Sequence, residues 1–224
     1  MRVVFGQLRI RLRDWARQPK SKQPDSGVGE QTLTMPDPIG IFANWYDDAR
    51  RGALMDPDIA ALATASKEAR PSVRMVLYRG IREGGFSFFT NYESRKGLEL
   101  SDNPFAAMAF YWPHLGKQVR IEGQVQRLSA QESDAYFEQR PFLSQITAAA
   151  SPQSRVMKDE GEFLSRLAEL ERASHGKISR PPSWGGFKLL PSLLEFWTHR
   201  DNRRHERIQY EKVGTEWNES RLYP

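Results

Sequence analysis

Two clusters of basic and hydroxyl side chains stand where phosphate groups could bind. Arg74 and Arg79 bracket one β-rich run of the sequence. The other cluster lies where a second run gives way to a predicted helix and consists of Thr90, Ser94, Arg95 and Lys96. A helix N-terminus adds backbone N–H donors and a dipole that favours anions. Because the chain has no glycine-rich phosphate loop, such a ligand would be held by side chains. A solvated basic turn is the alternative.

A further cluster combines one arginine with two hydroxyl side chains. Tyr136 and Arg140 are spaced to share a face of a predicted helix, and Ser144 follows after Pro141. An arginine flanked by hydroxyls can clamp a phosphate through charge-assisted hydrogen bonds. The same spacing fits an aromatic core contact beside an exposed arginine equally well.

The histidines do not indicate a metal site. There are 4 of them: His114, His175, His199 and His205. No pair has metal-ligand spacing, so no metal is expected. His199 and His205 lie near acids that could orient either ring, although a surface position is more usual for a histidine in an Arg-rich strand. No Gly-x-Ser-x-Gly motif indicates a hydrolase, and the absence of cysteine excludes disulfides and thiol nucleophiles.

Composition is ordinary for a soluble globular protein. The chain has 224 residues, 39% of them hydrophobic and 27% charged, which is enough to form a core without disulfides. We expect no membrane span and no secretory signal, and therefore a cytoplasmic protein. The net charge of +5 fits a solvated surface or phosphorylated ligands. Nucleic acid is not an expected partner, because the basic residues are dispersed and no binding motif appears.

The elements that must position these clusters follow from hydrophobic periodicity and turn residues. The polar, basic composition of residues 1–35 predicts a flexible arm ahead of one domain over 36–224. Asp37 and Pro38 predict the start of a helix. Strands are predicted over 59–66, 72–79, 86–91, 106–112, 118–128, 184–197, 206–212 and 216–222. Further helices are predicted over 94–100, 130–139, 141–150 and 160–174. Mostly short connections predict an antiparallel barrel with flanking helices, a mainly β chain of the α+β class.

Short motifs follow one another in an order that is found in one enzyme family. They are Arg74-Met75-Val76-Leu77, Phe89-Thr90-Asn91, Ser94-Arg95-Lys96, Gln118-Val119, Tyr136-Phe137, Arg140-Pro141, Ser144-Gln145-Ile146, Gln153-Ser154, Leu194-Glu195-Phe196-Trp197 and Arg203-Arg204-His205-Glu206-Arg207. Each motif is weak alone. In this order, the chain over 36–224 resembles the pyridoxamine 5′-phosphate oxidases.

The resemblance implies an FMN-binding split β-barrel that works as a homodimer with two sites at the subunit interface. FMN would be held by Arg74, Met75, Val76, Leu77, Phe89, Thr90, Arg95, Lys96, Gln118, Gln153, Ser154, Trp197 and Arg207. The substrate would be held by Arg79, Tyr136, Arg140, Ser144, Arg203 and His205.

The resemblance also implies a reaction, the oxidation of pyridoxamine 5′-phosphate or pyridoxine 5′-phosphate to pyridoxal 5′-phosphate in vitamin B6 metabolism. A hydride would pass from C4′ of the substrate to N5 of the flavin, and O2 would reoxidise the flavin to give H2O2. The cofactor carries this chemistry, and the protein orients the two rings. Arg203 and His205 are the implied catalytic residues, and their alternation along a predicted strand with Arg207 puts all three on one face.

Three features depart from the family pattern. Arg79 stands where the family usually has lysine, so a planar fork replaces a compact ammonium group. Thr198 and Arg204 are atypical, since a hydrophobic residue is usual at position 204. The arm over 1–35 also lacks the Arg-x-x-Tyr-type segment that closes over substrate in the family.

Two alternatives of other kinds remain open. One is a related FMN oxidase of the same fold acting on another aromatic compound, as in phenazine biosynthesis. The other is a flavin- or B6-phosphate-binding protein with little turnover. Tyr136, Arg140 and Ser144 favour the phosphorylated B6 substrate, because a substrate without phosphate would not require them.

Overall fold

The computed structural model describes residues 37–52 and 56–224. The predicted N-terminal arm over 1–35 lies outside these residues. None of the helices in these ranges combines the length and the apolar composition that a membrane-spanning helix needs.

The described ranges contain nine strands and five α-helices, and all of them except the short strand β3 correspond to predicted elements. The strands are β1 (Ile59–Ala65), β2 (Pro71–Leu77), β3 (Ile81–Arg82), β4 (Gly85–Asn91), β5 (Phe105–Trp112), β6 (Lys117–Arg127), β7 (Trp184–Thr198), β8 (Glu206–Val213) and β9 (Glu216–Leu222). The helices are α1 (Pro38–Arg51), α2 (Arg95–Asp102), α3 (Ala130–Glu138), α4 (Phe142–Ala150) and α5 (Glu160–Ala173). Short 3₁₀ turns cover Pro113–Leu115 and Asp201–Arg203.

All the strands join one antiparallel sheet, in the order β2-β1-β5-β6-β7-β4-β3, with β8 on β7 and β9 on β8. The long strand β7 pairs with β4 through its first half and with β8 through its second half, and it pairs with β6 along most of its length. Strands β2 and β4 also approach each other, which curls the sheet around a core. The predicted mainly β class with flanking helices is therefore confirmed.

The core is aromatic and extends to the first helix. Asp37 caps α1 by accepting a hydrogen bond from the Gly40 N–H at 3.0 Å, and Pro38 occupies the first turn, as predicted. This start fixes Phe42, whose ring packs edge-on against Phe86 at 4.8 Å. Both rings are fully buried. Helix α1 thus packs against strand β4 of the sheet, which helps to hold that strand in place.

Candidate active site

A cavity of about 470 Å³ opens between β2, β4 and the start of α2. We call it the basic cavity. Residues predicted to hold the cofactor line it: Arg74, Met75, Val76, Phe89, Thr90, Arg95, Lys96, Gln153 and Ser154. Ser72 and Val73 complete its wall. The structure therefore brings together most of one predicted ligand set.

The start of α2 is pressed tightly against the end of β4. Ser94 is the N-cap and accepts a hydrogen bond from the Gly97 N–H at 3.4 Å. A Cβ atom at position 97 would lie 2.2 Å from the carbonyl oxygen of Tyr92, so only glycine allows this approach. The close packing fixes the backbone that carries Arg95 and Lys96.

Lys96 is a buried cation whose hydrogen-bond partners are hydroxyl groups. Its Nζ donates to Thr90 Oγ1 at 2.9 Å and to Ser94 Oγ at 3.4 Å. Thr90 in turn donates to Gln153 Oε1 at 3.1 Å. Burial, with a smaller contribution from the nearby charge of Arg74, lowers the pKa of Lys96 to about 8. An anion in the basic cavity would supply the charge partner that Lys96 lacks in these contacts.

Arg74 is held by the buried carboxylate of Glu99. The Nη2 atom of Arg74 lies 3.2 Å from Glu99 Oε2, and Arg95 Nε donates to Glu99 Oε1 at 2.9 Å. Burial raises the pKa of Glu99, but hydrogen bonds from Ser72, Thr64, Arg95 and Arg74 outweigh it and bring the pKa to about 2. Glu99 therefore stays ionised and fixes two cations at the cavity wall.

A second cavity of about 500 Å³ adjoins the first and shares Phe89, Thr90 and Gln153 with it. We call it the aromatic cavity. Its other lining residues are Leu77, Arg79, Tyr136, Gln139, Arg140, Pro141, Ser144 and Trp184. The predicted substrate residues Arg79, Tyr136, Arg140 and Ser144 thus share one space, as does the predicted cofactor residue Leu77.

Stacked rings and an arginine form the wall of the aromatic cavity. Tyr136 stacks on Phe89 with ring centroids 3.8 Å apart, and the Arg140 guanidinium lies 4.7 Å from the centre of the Trp184 ring. Nη1 of Arg140 is buried without a hydrogen-bond partner. Burial lowers the pKa of Arg140; the nearby Tyr136 partly offsets this effect, and the charge of Arg79 makes a smaller lowering contribution. Two guanidinium groups therefore line one cavity, and one of them, Arg140, has an N–H group without a hydrogen-bond partner.

Arg140 is not on the helix that carries Tyr136. Helix α3 ends at Glu138, and Arg140 lies in the turn before α4. Pro141 precedes the first residue of α4 and separates the two helices. The predicted shared helical face is therefore wrong, although both side chains line the same cavity.

The remaining predicted residues form a separate group at β6, β7 and β8. Gln118 pairs in register with Trp197, which pairs with Arg207. His205 lies with its ring 4.5 Å from that of Trp197. Neither cavity is lined by Gln118, Trp197, Arg203, His205 or Arg207. One chain therefore does not by itself assemble the full predicted set in these two spaces.

The prediction that Arg203, His205 and Arg207 alternate along one strand is wrong. Strand β8 begins only at Glu206, and Arg203 lies in a 3₁₀ turn. Asn202 and Arg203 have φ values of 56° and 59°, in the left-handed region that an extended strand never visits. Because Thr198 pairs with Glu206, the intervening residues must reverse the chain. We call residues 199–205 the β7–β8 turn.

Contacts within this group fix His205 and Arg207. The backbone N–H of Arg200 donates to His205 Nδ1 at 3.2 Å, so a neutral His205 carries its proton on Nε2. Arg207 Nε donates to Glu195 Oε1 at 2.7 Å, and Arg120 Nη1 donates to the other oxygen of Glu195 at 2.9 Å. Arg203 is exposed at the tip of the turn.

Sequence reasoning missed the acids and the tryptophan that organise these groups. Glu99 had a usable signal, because it follows Arg95 by one helical turn. Glu195, Trp184 and Asp58 had no local signal for these contacts, since their partners are distant in the chain. Within the described ranges, no group of three or more His, Cys, Asp or Glu side chains could hold a metal ion.

Comparisons with known proteins identify the same relatives as the motifs. The family model described as pyridoxamine 5′-phosphate oxidase matches residues 46–172. The model described as pyridoxine 5′-phosphate oxidase C-terminal dimerisation region matches residues 184–224. Two similar proteins are both named pyridoxine/pyridoxamine 5′-phosphate oxidase. That of Gluconobacter oxydans is 47% identical, covering 84% of this chain and 94% of the relative. That of Coxiella burnetii is 46% identical, covering 84% of this chain and 96% of the relative.

Two solved structures are similar to this fold. PhzG from Burkholderia lata, in complex with tetrahydrophenazine-1-carboxylic acid, has a TM-score of 0.81 and 32% identity, covering 84% of this chain and 93% of that one. A pyridoxamine 5′-phosphate oxidase-related, FMN-binding protein from Nostoc punctiforme has a TM-score of 0.68 and 19% identity, covering 86% of this chain and 100% of that one. The predicted split-barrel fold is confirmed.

Proposed function

The chain belongs to the pyridoxamine 5′-phosphate oxidase family, and we propose that it oxidises pyridoxamine 5′-phosphate or pyridoxine 5′-phosphate to pyridoxal 5′-phosphate. FMN is the cofactor and O2 the electron acceptor, with H2O2 as product. The observation that carries this proposal is the pair of adjoining cavities, each walled by cations and sharing Phe89, Thr90 and Gln153. Two adjoining anion sites suit a phosphorylated cofactor lying beside a phosphorylated substrate.

The basic cavity fits the phosphate of FMN. Lys96 is a buried cation that donates hydrogen bonds to the hydroxyls of Thr90 and Ser94. Glu99 holds Arg74 and Arg95 beside it. A dianion there would interact favourably with all three cations. Side chains serve this role without a glycine-rich loop, which favours FMN over a dinucleotide such as FAD. The remaining proposed cofactor contacts are Met75, Val76, Leu77, Phe89, Thr90, Gln118, Gln153, Ser154, Trp197 and Arg207.

The aromatic cavity fits the substrate. Arg140 Nη1 is buried without a partner, and Arg79 faces the same space, so a phosphate monoester would satisfy both. Ser144 and Tyr136 supply hydroxyl groups along the same wall. The shared wall between the cavities would place the substrate next to the cofactor. This proximity is the main contribution that binding makes to the rate.

Bound FMN supplies the two-electron acceptor for a hydride from the substrate carbon. The protein would hold the two rings side by side, since the two cavities share a wall. Arg203 and His205 are the proposed catalytic pair. His205 presents an Nε2–H donor because its Nδ1 accepts from the Arg200 backbone. The guanidinium of Arg203 adds a positive charge at the turn, suited to holding an anionic group of the substrate.

A homodimer would unite the two groups of site residues. The C-terminal segment over 184–224 matches a region described as a dimerisation region, and it contains Trp197, Arg203, His205 and Arg207. The outer row of β2 is also apolar and exposed: 69% at Val73, 61% at Met75 and 43% at Leu77. A contiguous apolar row of this kind is typical of an interface. We infer that a second copy covers this face and completes each site.

A cytoplasmic location, consistent with the absence of cysteine, belongs to the same proposal.

The similarity to PhzG favours one second candidate, an FMN oxidase acting on a phosphate-free aromatic acid. The unpartnered Nη1 of Arg140 and the second arginine beside it support the phosphorylated substrate instead. A phosphate-free ring would leave Arg140 Nη1 without a partner.

An aerobic assay with the purified FMN-loaded protein tests the proposal. Pyridoxamine 5′-phosphate and pyridoxine 5′-phosphate should each give pyridoxal 5′-phosphate and an equal amount of H2O2. Unphosphorylated pyridoxine is the matched control and should react far more slowly. A yellow protein that consumes no O2 with either phosphorylated compound would indicate a binding protein. Equal rates with and without the phosphate would favour the second candidate.

A further inference from the structure

Arg79 is held by a carboxylate that lines neither cavity. Its Nη1 donates to Asp58 Oδ2 at 2.6 Å, and the two side chains are 28% and 23% exposed. Asp58 precedes β1, whereas Arg79 follows β2, so the pair joins neighbouring strand ends. The contact is therefore a tertiary ion pair, and the fold places it at the wall of the aromatic cavity, which Arg79 lines.

The other oxygen of Asp58 is fixed from the core. The hydroxyl of Tyr46 on α1 donates to Asp58 Oδ1. Burial, and then this hydrogen bond, raise the pKa of Tyr46, so the phenol stays a neutral donor throughout the usual pH range. Its ring packs on Phe42 at 5.9 Å and edge-on to Tyr78 at 5.2 Å. Both oxygens of Asp58 are thus occupied by donors with fixed positions.

The backbone around this pair is equally constrained. Tyr78 N–H donates to the Asp58 carbonyl at 2.8 Å, and Arg79 N–H donates to the Ser87 carbonyl at 2.8 Å. The backbone N–H of Asp58 donates to the Asp56 side chain at 3.0 Å. The chain therefore sets the distance between Asp58 and Arg79 before any ligand binds, which is the condition for a preorganised contact.

We propose that Asp58 is a positioning residue for substrate phosphate, binding Nη1 of Arg79 so that its remaining N–H donors point into the aromatic cavity towards Arg140. The inference rests on the proposed function. A guanidinium has five donors in a planar fork, and Asp58 and the Tyr78 carbonyl occupy only Nη1. The Nε and Nη2 groups remain for the ligand. A lysine has a single ammonium group, which cannot bind Asp58 with one nitrogen and the phosphate with another. The contacts of Asp58 with Arg79 and Tyr46 therefore suit an arginine at position 79.

A purely electrostatic role for Asp58 makes the opposite prediction. If the carboxylate only diluted positive charge, its removal would tighten the binding of a dianion. If it orients the fork, its removal would weaken binding. Asp58→Asn separates the two roles, because an amide has acceptor lone pairs on one oxygen only and cannot accept from Tyr46 and Arg79 through separate, charged oxygens as the carboxylate does.

The experiment is a double-mutant cycle on the FMN-loaded enzyme with Asp58→Asn, Arg79→Lys and the double variant. Asp58→Asn should raise KM for pyridoxine 5′-phosphate about 10-fold with kcat within about 2-fold, as expected for one charged hydrogen bond that acts on binding. In the Arg79→Lys background the same change should alter KM by less than about 2-fold. Calorimetric titration with pyridoxal 5′-phosphate should show the same loss, whereas pyridoxal without phosphate should show none.

Each contrary result has a definite meaning. A lower KM for Asp58→Asn, or an equal effect in both backgrounds, would overturn the positioning role. If Asp58→Asn does not fold, Tyr46→Phe should weaken pyridoxal 5′-phosphate binding in the same direction by a few fold, and unchanged binding would contradict the inference. A wild-type enzyme that oxidises neither phosphorylated compound would instead refute the proposed function, independently of Asp58.

Discussion

The basic cavity and the β7–β8 turn carry the same kinds of side chains, but the fold holds them differently. In the basic cavity, Arg74 and Arg95 are bound to buried Glu99, and Lys96 is itself buried. In the turn, Arg203 is exposed on a left-handed backbone conformation. The first region is ready to bind an anion within one chain. The second is presented outward, as expected for a group that completes a site on another chain.

Strain at the turn points in the same direction. A non-glycine residue with positive φ is uncommon, and two in succession persist only when the surroundings determine them. The Thr198–Glu206 pair and the His205 contact with the Arg200 backbone supply those surroundings. The turn therefore holds Arg203 in an exposed position, whereas contacts within the basic cavity hold its cations at the cavity wall.

The largest effect should come from the turn. Arg203→Ala should lower kcat/KM for pyridoxine 5′-phosphate by roughly 30- to 1000-fold while FMN stays bound, because one charged contact to the reacting substrate is lost. His205→Ala should mainly raise the KM for pyridoxine 5′-phosphate. Steady-state kinetics and the flavin spectrum of both variants check this. Near-wild-type specificity constants for both would mean that the turn does not belong to the site.

Arg207 should act on the cofactor instead of the substrate. Arg207→Ala should weaken FMN binding about 10-fold or more, as expected for the loss of a charged hydrogen bond. Glu195→Gln is the matched control, because it loosens Arg207 without removing the guanidinium and should have a smaller effect in the same direction. Fluorescence titration of the apoprotein with FMN measures both, and unchanged affinity in Arg207→Ala would refute this role.

The buried lysine predicts a pH dependence of cofactor binding. The pKa of Lys96 is lowered to about 8 in the protein without ligand, and a bound phosphate would raise it. Below this pKa Lys96 is already protonated and FMN binds with its full affinity. Above this pKa Lys96 must take up a proton when FMN binds, and the affinity falls. The Kd for FMN should be flat from about pH 7 to pH 8 and then rise by up to about tenfold per pH unit. Lys96→Met should bind more weakly at neutral pH and lose this rise, and a wild-type profile that stays flat to pH 9 would contradict the role of Lys96.

The smallest effect should belong to the exposed member of the basic cavity. The Arg95 side chain is 65% exposed, whereas that of Arg74 is 19% exposed. Solvent screening weakens an exposed contact, so Arg95→Ala should reduce FMN affinity by only a few fold and Arg74→Ala by much more. Parallel FMN titrations compare the two variants. Equal losses would show that burial does not rank these cations.

Local sequence signals predicted the elements well, and they failed where the site depends on distant contacts. Alternation and turn residues located β4 and the start of α2, because those signals are local. The strand expected through Arg203 was wrong, because charged residues alternate in a turn as readily as in a strand. Glu195 and Asp58 could not be anticipated, since their roles come from pairing between strands that are far apart in sequence.

Subunit complementation tests most directly whether each site needs two chains. Arg140→Ala removes a residue of the aromatic cavity, and Arg203→Ala removes one of the β7–β8 turn. When the two inactive variants are unfolded, mixed in equal amounts and refolded with FMN, half of the dimers should be mixed. Each mixed dimer would contain one intact site, so activity should return to about a quarter of the wild-type value. Mixed dimers, verified by tagged co-purification, that remain as inactive as the parent variants would contradict the shared site.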